Sequence, residues 1–570
     1  MEPRVSKRER KLHLSYDVPH RIHAAQLYPI PSPNGSTIVI YAHDRGLRLL
    51  WRGGKRRRER SRTNGRAQEQ DIIITDDDDE PQLQDSLEDE EDELDPDCPY
   101  PPIISSVDID FGAEVLQLAI PALPPLLRKT NALNKYGAVA ISCSDGSQRV
   151  VTFDLLPPTS AEAYANDVLA RQILLNLSSV PCTGLAASIA TSSNTNAEGT
   201  TFLLVAASSD MLRTYRFAIF NDLTNISQDA ETGALGLLHE VKSVAFHPST
   251  TSTQLLISDT SGAIRICDPF GPPTSEGGIE MHDPEDTTQK TGGKWLFTFT
   301  TPYNNRSGGL ARRKQVLASS WVLNGTAILA LLEDGEWFIW TLVPSSEQSS
   351  NFSEPTLRGF LGASSGTQTK SSSRLAPMTP NTRKTKSENF FAGPAPKVPG
   401  GSAAAACGGV SVVSSSLRAN LPDESVILWY NGEIYSIPSL QTFWQRSTNR
   451  GGGGGGLYAP GLTRVTDINL GGERVTAVAQ FGTREASSGV GTMNTQRDLL
   501  VSGEHRFIVL QSLRATVPAR GLFQQEVVRG GMEKDQRMLD FGQLDLGGID
   551  RVLDGMANGE ARPRRVGFAR

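Results

Sequence analysis

The sequence has few cysteines and lacks any long apolar run. No two of its cysteines have the C-x-x-C spacing of a paired-cysteine metal site, and we expect reduced thiols without a structural disulfide. The first 21 residues lack the apolar core of a signal peptide, and no stretch approaches the roughly 20 apolar residues of a membrane span. We therefore expect a soluble intracellular protein. The five cysteines are Cys98, Cys143, Cys182, Cys267 and Cys407.

Motifs of common catalytic sites are also missing. The chain contains neither a phosphate-binding loop G-x-x-x-x-G-K-[ST] nor the metalloprotease motif H-E-x-x-H. Asp108 and Asp110 alternate along one predicted strand, a pattern open to acid/base chemistry but more typical of a solvated strand face. We therefore expect no enzymatic activity, no cofactor and no metal.

Charge is concentrated in short segments rather than spread along the chain. The formal net charge is −7, yet residues 71–97 carry 15 acidic and no basic side chains, so the remainder is net positive. Residues 1–66 hold 16 Lys or Arg against 5 Asp or Glu. The basic and acidic blocks within residues 53–98 bury too little apolar surface to fold. The negative net charge therefore describes this one segment and says little about the folded surface.

What the sequence does contain is a repeated β-hairpin. In residues 137–155, two alternating apolar and polar runs flank Ser144-Asp145-Gly146-Ser147, a typical turn sequence. Each hairpin follows another short alternating strand, and where a fourth strand is visible it lies just upstream, as at 171–177 and 294–299. Similar hairpins recur at 36–51, 202–217, 254–268, 327–342, 425–437 and 499–511, which makes seven.

Seven such units resemble the WD-repeat β-propeller, in which four-stranded blades stand radially. The resemblance lies in patterns such as VKSVAFHPS followed by LLISDTSGAIRICD, where Cys267-Asp268 stands in place of the usual Trp-Asp. It implies an all-β, seven-bladed WD40-like propeller with disordered insertions and a C-terminal tail. Recurring polar residues are then structural turn residues and not catalytic ones: Asp44, Asp145, Asp210, Asp259, Asp334 and Asn431.

The predicted propeller spans residues 11–515. A propeller with unpaired end strands would expose sheet edges, and we expect Leu12 to Tyr16 to close the ring as the outer strand of the last blade. A disordered basic arm is the alternative for that segment. Residues 53–98 and 345–405 are predicted disordered insertions, and 516–570 a tail. In the tail, one face of a weak amphipathic helix is a possible partner-binding surface: Leu546, Ile549, Leu553 and Met556.

The insertions carry three candidate signals. Residues 71–80 resemble a SUMO-interacting motif, in which an extended apolar run adds a strand to a sheet edge beside carboxylates; the alternatives are a chance apolar island or one docked on the propeller itself. The motif residues are Ile72, Ile73, Ile74, Asp76, Asp77, Asp78 and Asp79. The basic run is a nuclear localisation signal, a solvated loop or a nucleic-acid patch, the last being disfavoured: Lys55, Arg56, Arg57 and Arg58. Thr379 precedes Pro380 and resembles a proline-directed phosphosite.

The two ends of the chain add a more specific resemblance. RERKLHLSYDVPHRIHAAQLYPI (8–30), NGSTIVIYAHDRGLRLLWRGG (34–54) and the terminal RRVGFAR (564–570) resemble the small fungal WD-repeat nucleoporin of the Y-shaped scaffold complex, the thirty-seven-kilodalton class. This implies a structural adaptor at the nuclear pore, on the nuclear envelope, that docks on a large propeller-plus-helical nucleoporin and serves mRNA and protein transport. A substrate receptor of a ubiquitin or SUMO ligase and a chromatin-associated propeller remain alternatives.

Overall fold

The computed structural model divides the chain into two compact units, Met1–Ser512 and Leu513–Arg570. The described residues all belong to the first unit. They are residues 1–512 without the following segments: 9–10, 56–99, 123–132, 134, 192–200, 210, 221–222, 224–225, 227–229, 271–292, 305–311, 343–354, 362–405, 416–422, 449–461, 467 and 482–496. Among these residues, neither helix has the length and apolar character needed to cross a bilayer.

The described strands form seven antiparallel sheets, each one blade of a β-propeller. The first blade contains β3 (Ile22–Leu27), β4 (Thr37–His43), β5 (Gly46–Arg52) and β6 (Ile103–Asp110). The second contains β7 (Val115–Ala119), β8 (Tyr136–Cys143), β9 (Ser147–Asp154) and β10 (Ile173–Leu177). The third contains β11 (Gly184–Thr191), β12 (Thr201–Ser208), β13 (Leu212–Ile219) and β14 (Glu231–Leu235).

The other four blades follow the same order. The fourth contains β15 (Val241–Phe246), β16 (Leu255–Asp259), β17 (Ala263–Asp268) and β18 (Lys294–Thr300). The fifth contains β19 (Val316–Val322), β20 (Ala327–Leu332), β21 (Glu336–Thr341) and β22 (Leu357–Phe360). The sixth contains β23 (Gly408–Ser415), β24 (Asp423–Tyr430), β25 (Glu433–Ile437) and β26 (Thr463–Val465). The seventh contains β27 (Ala477–Gln480), β28 (Leu499–Ser502), β29 (Arg506–Ser512), β2 (Lys11–Asp17) and β1 (Arg4–Arg8). Seven blades confirm the fold class expected from the hairpin count.

Burial follows position within a blade. The second strands are almost fully buried, and every residue of β20 is buried, because both faces of a blade pack against neighbouring blades. The outer strands are the most exposed, as in β18, where only one of seven residues is buried. The first strands contact one another around the ring and line its centre.

The seventh blade joins the two ends of the first unit. Strand β2 pairs antiparallel with β29 over seven residue pairs, from Lys11 opposite Ser512 to Asp17 opposite Arg506. The rings of Tyr16 and Phe507 stack across this pair with their centroids 4.7 Å apart. The sequence placed Leu12 to Tyr16 as the outer strand of this blade. These residues lie in β2, which pairs with β29 as the fourth strand, and β1 lies outside it. The fifth strand, β1, was not expected.

The fourth strands differ from the expectation in one respect. The sequence grouped each visible fourth strand with the hairpin that follows it, but β10 pairs with β9 and β18 pairs with β17, the hairpins that precede them. Each fourth strand therefore completes the preceding blade. The physical reason is that the strand returns antiparallel beside the last strand formed, and the chain then crosses to the centre of the next blade.

Two helices interrupt the blades. Helix α1 (Ala161–Ala170) lies between β9 and β10, and its buried Tyr164 and Val168 face the blades. It begins at Ser160, whose side-chain oxygen accepts a hydrogen bond from the Ala163 amide, a normal N-cap. Helix α2 (Leu440–Thr448) follows β25 and contacts β24.

Polar contacts between first strands tie neighbouring blades together. Nε2 of Gln26 on β3 donates to the Leu118 carbonyl at 3.1 Å, and its Oε1 accepts from the Ile120 amide at 3.1 Å. Oγ of Ser243 on β15 lies 2.8 Å from Oγ of Ser319 on β19. These bonds satisfy polar groups near the ring centre and fix the position of each blade relative to the next.

A buried carboxylate makes a further inter-blade contact. Glu424 of the sixth blade accepts hydrogen bonds from the amides of Leu323 (2.6 Å) and Asn324 (2.7 Å) in the fifth blade. These two residues have left-handed backbone angles, φ 52° and 55°, and precede Gly325 at φ 86°. Left-handed backbone is costly for residues with a Cβ, so Glu424 stabilises a strained turn that joins two blades.

Candidate functional site

The two ends of the blades differ in what they carry. One end of the blades carries the turns between second and third strands, such as 44–45 and 144–146, and the connections between blades, such as 111–114. We call this end the upper rim. The lower rim is the opposite end, with turns such as 323–326. Most segments outside the described residues are flanked by residues of the lower rim, whereas 210, 305–311, 362–405 and 467 are flanked by residues of the upper rim.

The predicted turn residues lie along the upper rim. Oδ1 of Asp145 accepts hydrogen bonds from the amide (2.9 Å) and the hydroxyl (2.7 Å) of Ser147, and Gly146 has φ 82°. Asp259, which is 1% exposed, accepts from the Ser261 amide at 2.9 Å in the same way. The side chain thus replaces a backbone acceptor inside the turn, as expected for a structural turn residue.

Other members of the predicted set act differently. Oδ1 of Asp334 accepts from the Glu336 amide at 3.1 Å within its own turn. Asn431, at φ 48°, accepts from the amide of Cys407, which lies in the connection before β23, at 3.2 Å. Asp44 binds across to Arg21 and to a histidine rather than within its turn. Asp210 lies outside the described residues.

A histidine and carboxylate cluster occupies the upper rim of the first blade. Nε2 of His43 lies 2.8 Å from Oδ1 of Asp108, and Nε2 of His20 lies 3.3 Å from Oδ2 of the same carboxylate. The two imidazole rings stack with centroids 4.5 Å apart. The Arg45 amide donates to Nδ1 of His43 at 3.3 Å, so the proton of a neutral His43 is on Nε2, facing Asp108.

A second cluster lies next to the first one. Nε2 of His23 is 3.0 Å from Oδ1 of Asp44 and 2.8 Å from Oε1 of Glu114. The Arg21 side chain pairs with Glu504 at 2.8 Å and so connects the first blade to the seventh. Strand β3, the turn after β4 and the connection after β6 thus meet through charged side chains.

Both clusters bring three metal-binding side chains within reach of one ion, since their donor atoms lie within 4.8 Å of one another. In the first cluster, however, the Nε2 proton of His43 points to Asp108, and a protonated nitrogen cannot ligate a metal. Hydrogen bonds and ion pairs around the first blade account for the first cluster, and the nearby Arg21–Glu504 pair is the contact that reaches the seventh blade.

These contacts change the acidity of the carboxylates. Burial alone would raise the pKa of Asp108, but the hydrogen bond from His43 and the nearby charges of His43, Arg48 and His20 outweigh it, and the pKa is lowered from 3.8. For Asp44, burial is likewise outweighed by hydrogen bonds from His23 and the Arg21 amide, and the pKa is lowered. Both carboxylates are therefore held in the charged form at neutral pH.

The upper rim of blades two to five has a different surface. Large apolar side chains stand in solvent at the outer strands and inter-blade connections, and Leu238 is 91% exposed. We call this set the apolar sector: Leu177, Val180, Leu238, Tyr303 and Phe360. The charged sector is the upper rim of blades seven and one: Asp17, His20, Arg21, His23, His43, Asp44, Arg45, Asp108, Asp110, Glu114 and Glu504.

Only some of the predicted site residues are among the residues that the structure describes. Asp108 and Asp110 do share an exposed face at the end of β6, where they pair with His43 and Arg45. Lys55 is exposed at the lower rim, and its amide donates to the Asn34 carbonyl at 2.8 Å. The remaining candidates lie outside the described residues: Arg56 to Arg58, Ile72 to Ile74, Asp76 to Asp79, Thr379, Leu546, Ile549, Leu553 and Met556.

Sequence reasoning missed the histidine network and the buried Glu424. His20, His23 and His43 stand alone in the sequence, and their acidic partners are up to 91 residues away. The one local signal was that Asp108 and Asp110 alternate on a strand that follows an insertion. That pattern indicates a shared face but not its partners.

Comparison with known proteins identifies the family of this chain. The family model described as the nucleoporin NUP37 N-terminal domain matches residues 15–510, which is most of the propeller. This chain belongs to the nucleoporin NUP37 family. Nucleoporin NUP37 of Chaetomium thermophilum is 26% identical over 599 aligned residues, covering 89% of this chain and 78% of that relative. The resemblance to the small WD-repeat nucleoporins is confirmed, and the chain is a nuclear pore component of a structural, non-enzymatic type.

Proposed function

We propose that this chain is a scaffold subunit of the nuclear pore outer ring, in the Y-shaped complex, and acts by binding a large propeller-plus-helical nucleoporin. The observation that carries the proposal is the NUP37 family match over residues 15–510, together with a propeller that presents one apolar and one charged sector on the same rim. Its mechanism is surface complementarity, with a rigid ring that positions the contacts.

The apolar sector is the surface we propose for the helical partner. Its members project from loops and from the upper ends of outer strands, so they offer side chains more than free backbone groups for strand addition. An α-helix buries a stripe of apolar side chains against such a surface. Arg313 stands over the ring of Tyr303, 4.6 Å from its centroid, and arginine with aromatic residues is the composition of binding hot spots.

The C-terminal tail supplies a second proposed contact. Leu546, Ile549, Leu553 and Met556 fall at i, i+3, i+7 and i+10, which puts them on one side of a helix. Gly547 and Gly548 weaken that helix in isolation by about 1 kcal/mol each, so it would form on a partner. We therefore expect the tail to add affinity without being needed for the propeller to fold.

Affinity purification of the tagged full-length chain tests this function. At about 0.3 M salt, where exposed ionic contacts are screened, we expect near-stoichiometric recovery of large helical nucleoporins. Replacing the four apolar tail residues with Ser should reduce that recovery, whereas R551S/D554S, on other sides of the same helix, should not. Recovery of ubiquitin-ligase subunits or histones in place of nucleoporins would contradict the proposal.

Binding to SUMO is a second candidate function. Three consecutive isoleucines followed by Thr75 and four aspartates fit strand addition to a SUMO sheet edge beside its basic surface. The full-length chain should be retained on immobilised SUMO, and I72A/I73A/I74A should abolish retention, while Q82A/Q84A should not. Equal retention of the triple variant would remove this candidate.

A further inference from the structure

The seventh blade ends in a strand that no other described blade has. Strand β1 pairs with β2, from Arg4 opposite Ser15 to Arg8 opposite Lys11, and makes this sheet five-stranded where the others have four. All five of its residues are exposed. Its other edge pairs with no described strand, so β1 is the edge of the described sheet, where a further strand can be added.

This edge is strongly basic. Arg4 pairs with Asp17 at 2.9 Å near the upper rim. Towards the lower rim come Lys7, Arg8 and Lys11, and among the described residues neither Lys7 nor Lys11 has an acidic partner within ion-pair distance. Lys7 and Lys11 therefore place positive charge beside a strand edge without a described counter-charge, which favours an extended, acidic occupant.

An acidic segment of the same chain begins on the adjacent blade. Nη2 of Arg52, at the lower end of β5, donates to Oε1 of Gln511 in the seventh blade at 3.1 Å, so the lower rims of blades one and seven are in contact. Lys55 follows at this rim, and the next described residue is Tyr100. Residues 71–97 of the intervening chain carry 15 acidic and no basic side chains.

We propose that residues 71–80, DIIITDDDDE, dock on the outer edge of β1. The run Ile72 to Thr75 is β-branched throughout, which favours an extended strand, and Asp76 to Asp79 match the charge of Lys7, Arg8 and Lys11. The chain is long enough, since the 15 residues between Lys55 and Asp71 span up to about 50 Å. A five-stranded blade is only about 20 Å wide.

Cations on an edge strand have another recognised role, which is to prevent pairing between molecules. That role needs no partner, and it predicts that hydrogen exchange of residues 71–80 is the same whether β1 is basic or acidic. Docking predicts that their exchange is faster when β1 is made acidic. Because strand addition to SUMO would use the same isoleucines, docking and SUMO binding would exclude each other, and β1 would set how available the motif is.

Hydrogen exchange of the full-length monomer tests the docking. We expect backbone amides of residues 72–79 to exchange about tenfold or more slowly relative to a free peptide of the same sequence. The variant K7E/R8E should remove that protection, and the added changes D77K/D78K should restore it. The matched control R45E/R312E reverses two exposed cations on other blades and should leave exchange of 72–79 unchanged. The thermal midpoint of each variant checks that the propeller is intact.

Carbodiimide cross-linking gives an independent readout, because it joins a lysine to a carboxylate only when they touch. Links from Lys7 or Lys11 to Asp76 to Asp79 in the monomer fraction are the expected result. The proposal is overturned if residues 72–79 exchange as fast as the free peptide, if K7E/R8E leaves their exchange unchanged, or if the links occur only in a dimer fraction.

Discussion

The charged and apolar sectors share one rim but differ in how their side chains are satisfied. In the charged sector, ion pairs and hydrogen bonds join residues of blades seven, one and two, as in Arg21 with Glu504 and His23 with Glu114. In the apolar sector, Leu177 and Leu238 stand in solvent at 69% and 91% exposure. The charged side chains of the first sector find their partners within the chain, whereas the second sector exposes apolar surface that a partner would cover.

This difference separates stability from binding. Substitutions in the charged sector should act on the joint between the two ends of the propeller. Substitutions in the apolar sector should leave folding unchanged, because an exposed side chain contributes little to the core. The predictions below run from the largest expected effect to the smallest.

The largest effect is expected from placing charge in the apolar sector. The double variant L177D/L238D should weaken binding to the proposed helical nucleoporin by several hundredfold, because two hot-spot contacts that cost roughly 2 kcal/mol each add to about 4 kcal/mol. Isothermal titration with the purified partner measures this effect. The thermal midpoint should stay within about 2 °C of the parent value. Unchanged affinity would show that the partner binds elsewhere.

A smaller effect is expected on stability from the charged sector. Removing the Asp108 carboxylate by D108A leaves His43, which is 1% exposed, without its acceptor and should cost about 1–2 kcal/mol of unfolding free energy. Urea denaturation followed by tryptophan fluorescence measures it. The variant D110A, on the same strand face, is the control and should cost less than about 0.5 kcal/mol. Equal costs would contradict a structural role for the histidine cluster.

The charged sector should also give stability a defined pH dependence. The pKa values of Asp17, Asp44 and Asp108 are lowered in the folded chain, so their contribution is present above the unfolded value of about 4 and is lost as pH falls through the lower folded values. Urea midpoints measured between pH 5 and pH 2.5 should fall, and D44N/D108N should fall less steeply. The same slope in both proteins would contradict the assignment.

The smallest effect is expected from the exposed ion pair of the charged sector. Arg45 and Asp110 lie 2.6 Å apart, but their side chains are 70% and 48% exposed. Solvent screens such a pair, so R45A should change the unfolding free energy by less than about 0.5 kcal/mol. Partner affinity by titration should also be unchanged. A tenfold loss of affinity would move the interface into the charged sector.

The sequence predicted the fold well because its signals are local. Alternation and turn residues such as Asp145-Gly146 define each hairpin within about 20 residues. Helix α1 was not predicted. Strand β1 was missed because RVSKR is mostly charged and becomes a strand only beside β2. The fourth strands were assigned to the wrong unit because pairing depends on the position of the preceding hairpin in space.

The candidate site was harder to predict for a similar reason. The acceptor of His43 lies 65 residues away on β6, after an insertion, and nothing near either residue indicates the pair. The apolar sector is likewise assembled from blades two to five. In the sequence, Leu238 and Phe360 look like ordinary apolar residues. Only the fold shows that both lie exposed on the same rim.

Hydrogen exchange of the full-length chain, with and without the proposed helical nucleoporin partner, tests the central claim most directly. We predict that binding slows exchange in the peptides that contain Leu177 to Val180, Leu238, Tyr303 and Phe360. Exchange in the charged sector, around His20 to His23 and Asp108 to Glu114, should be unchanged. Protection confined to the charged sector or to the lower rim would contradict the account.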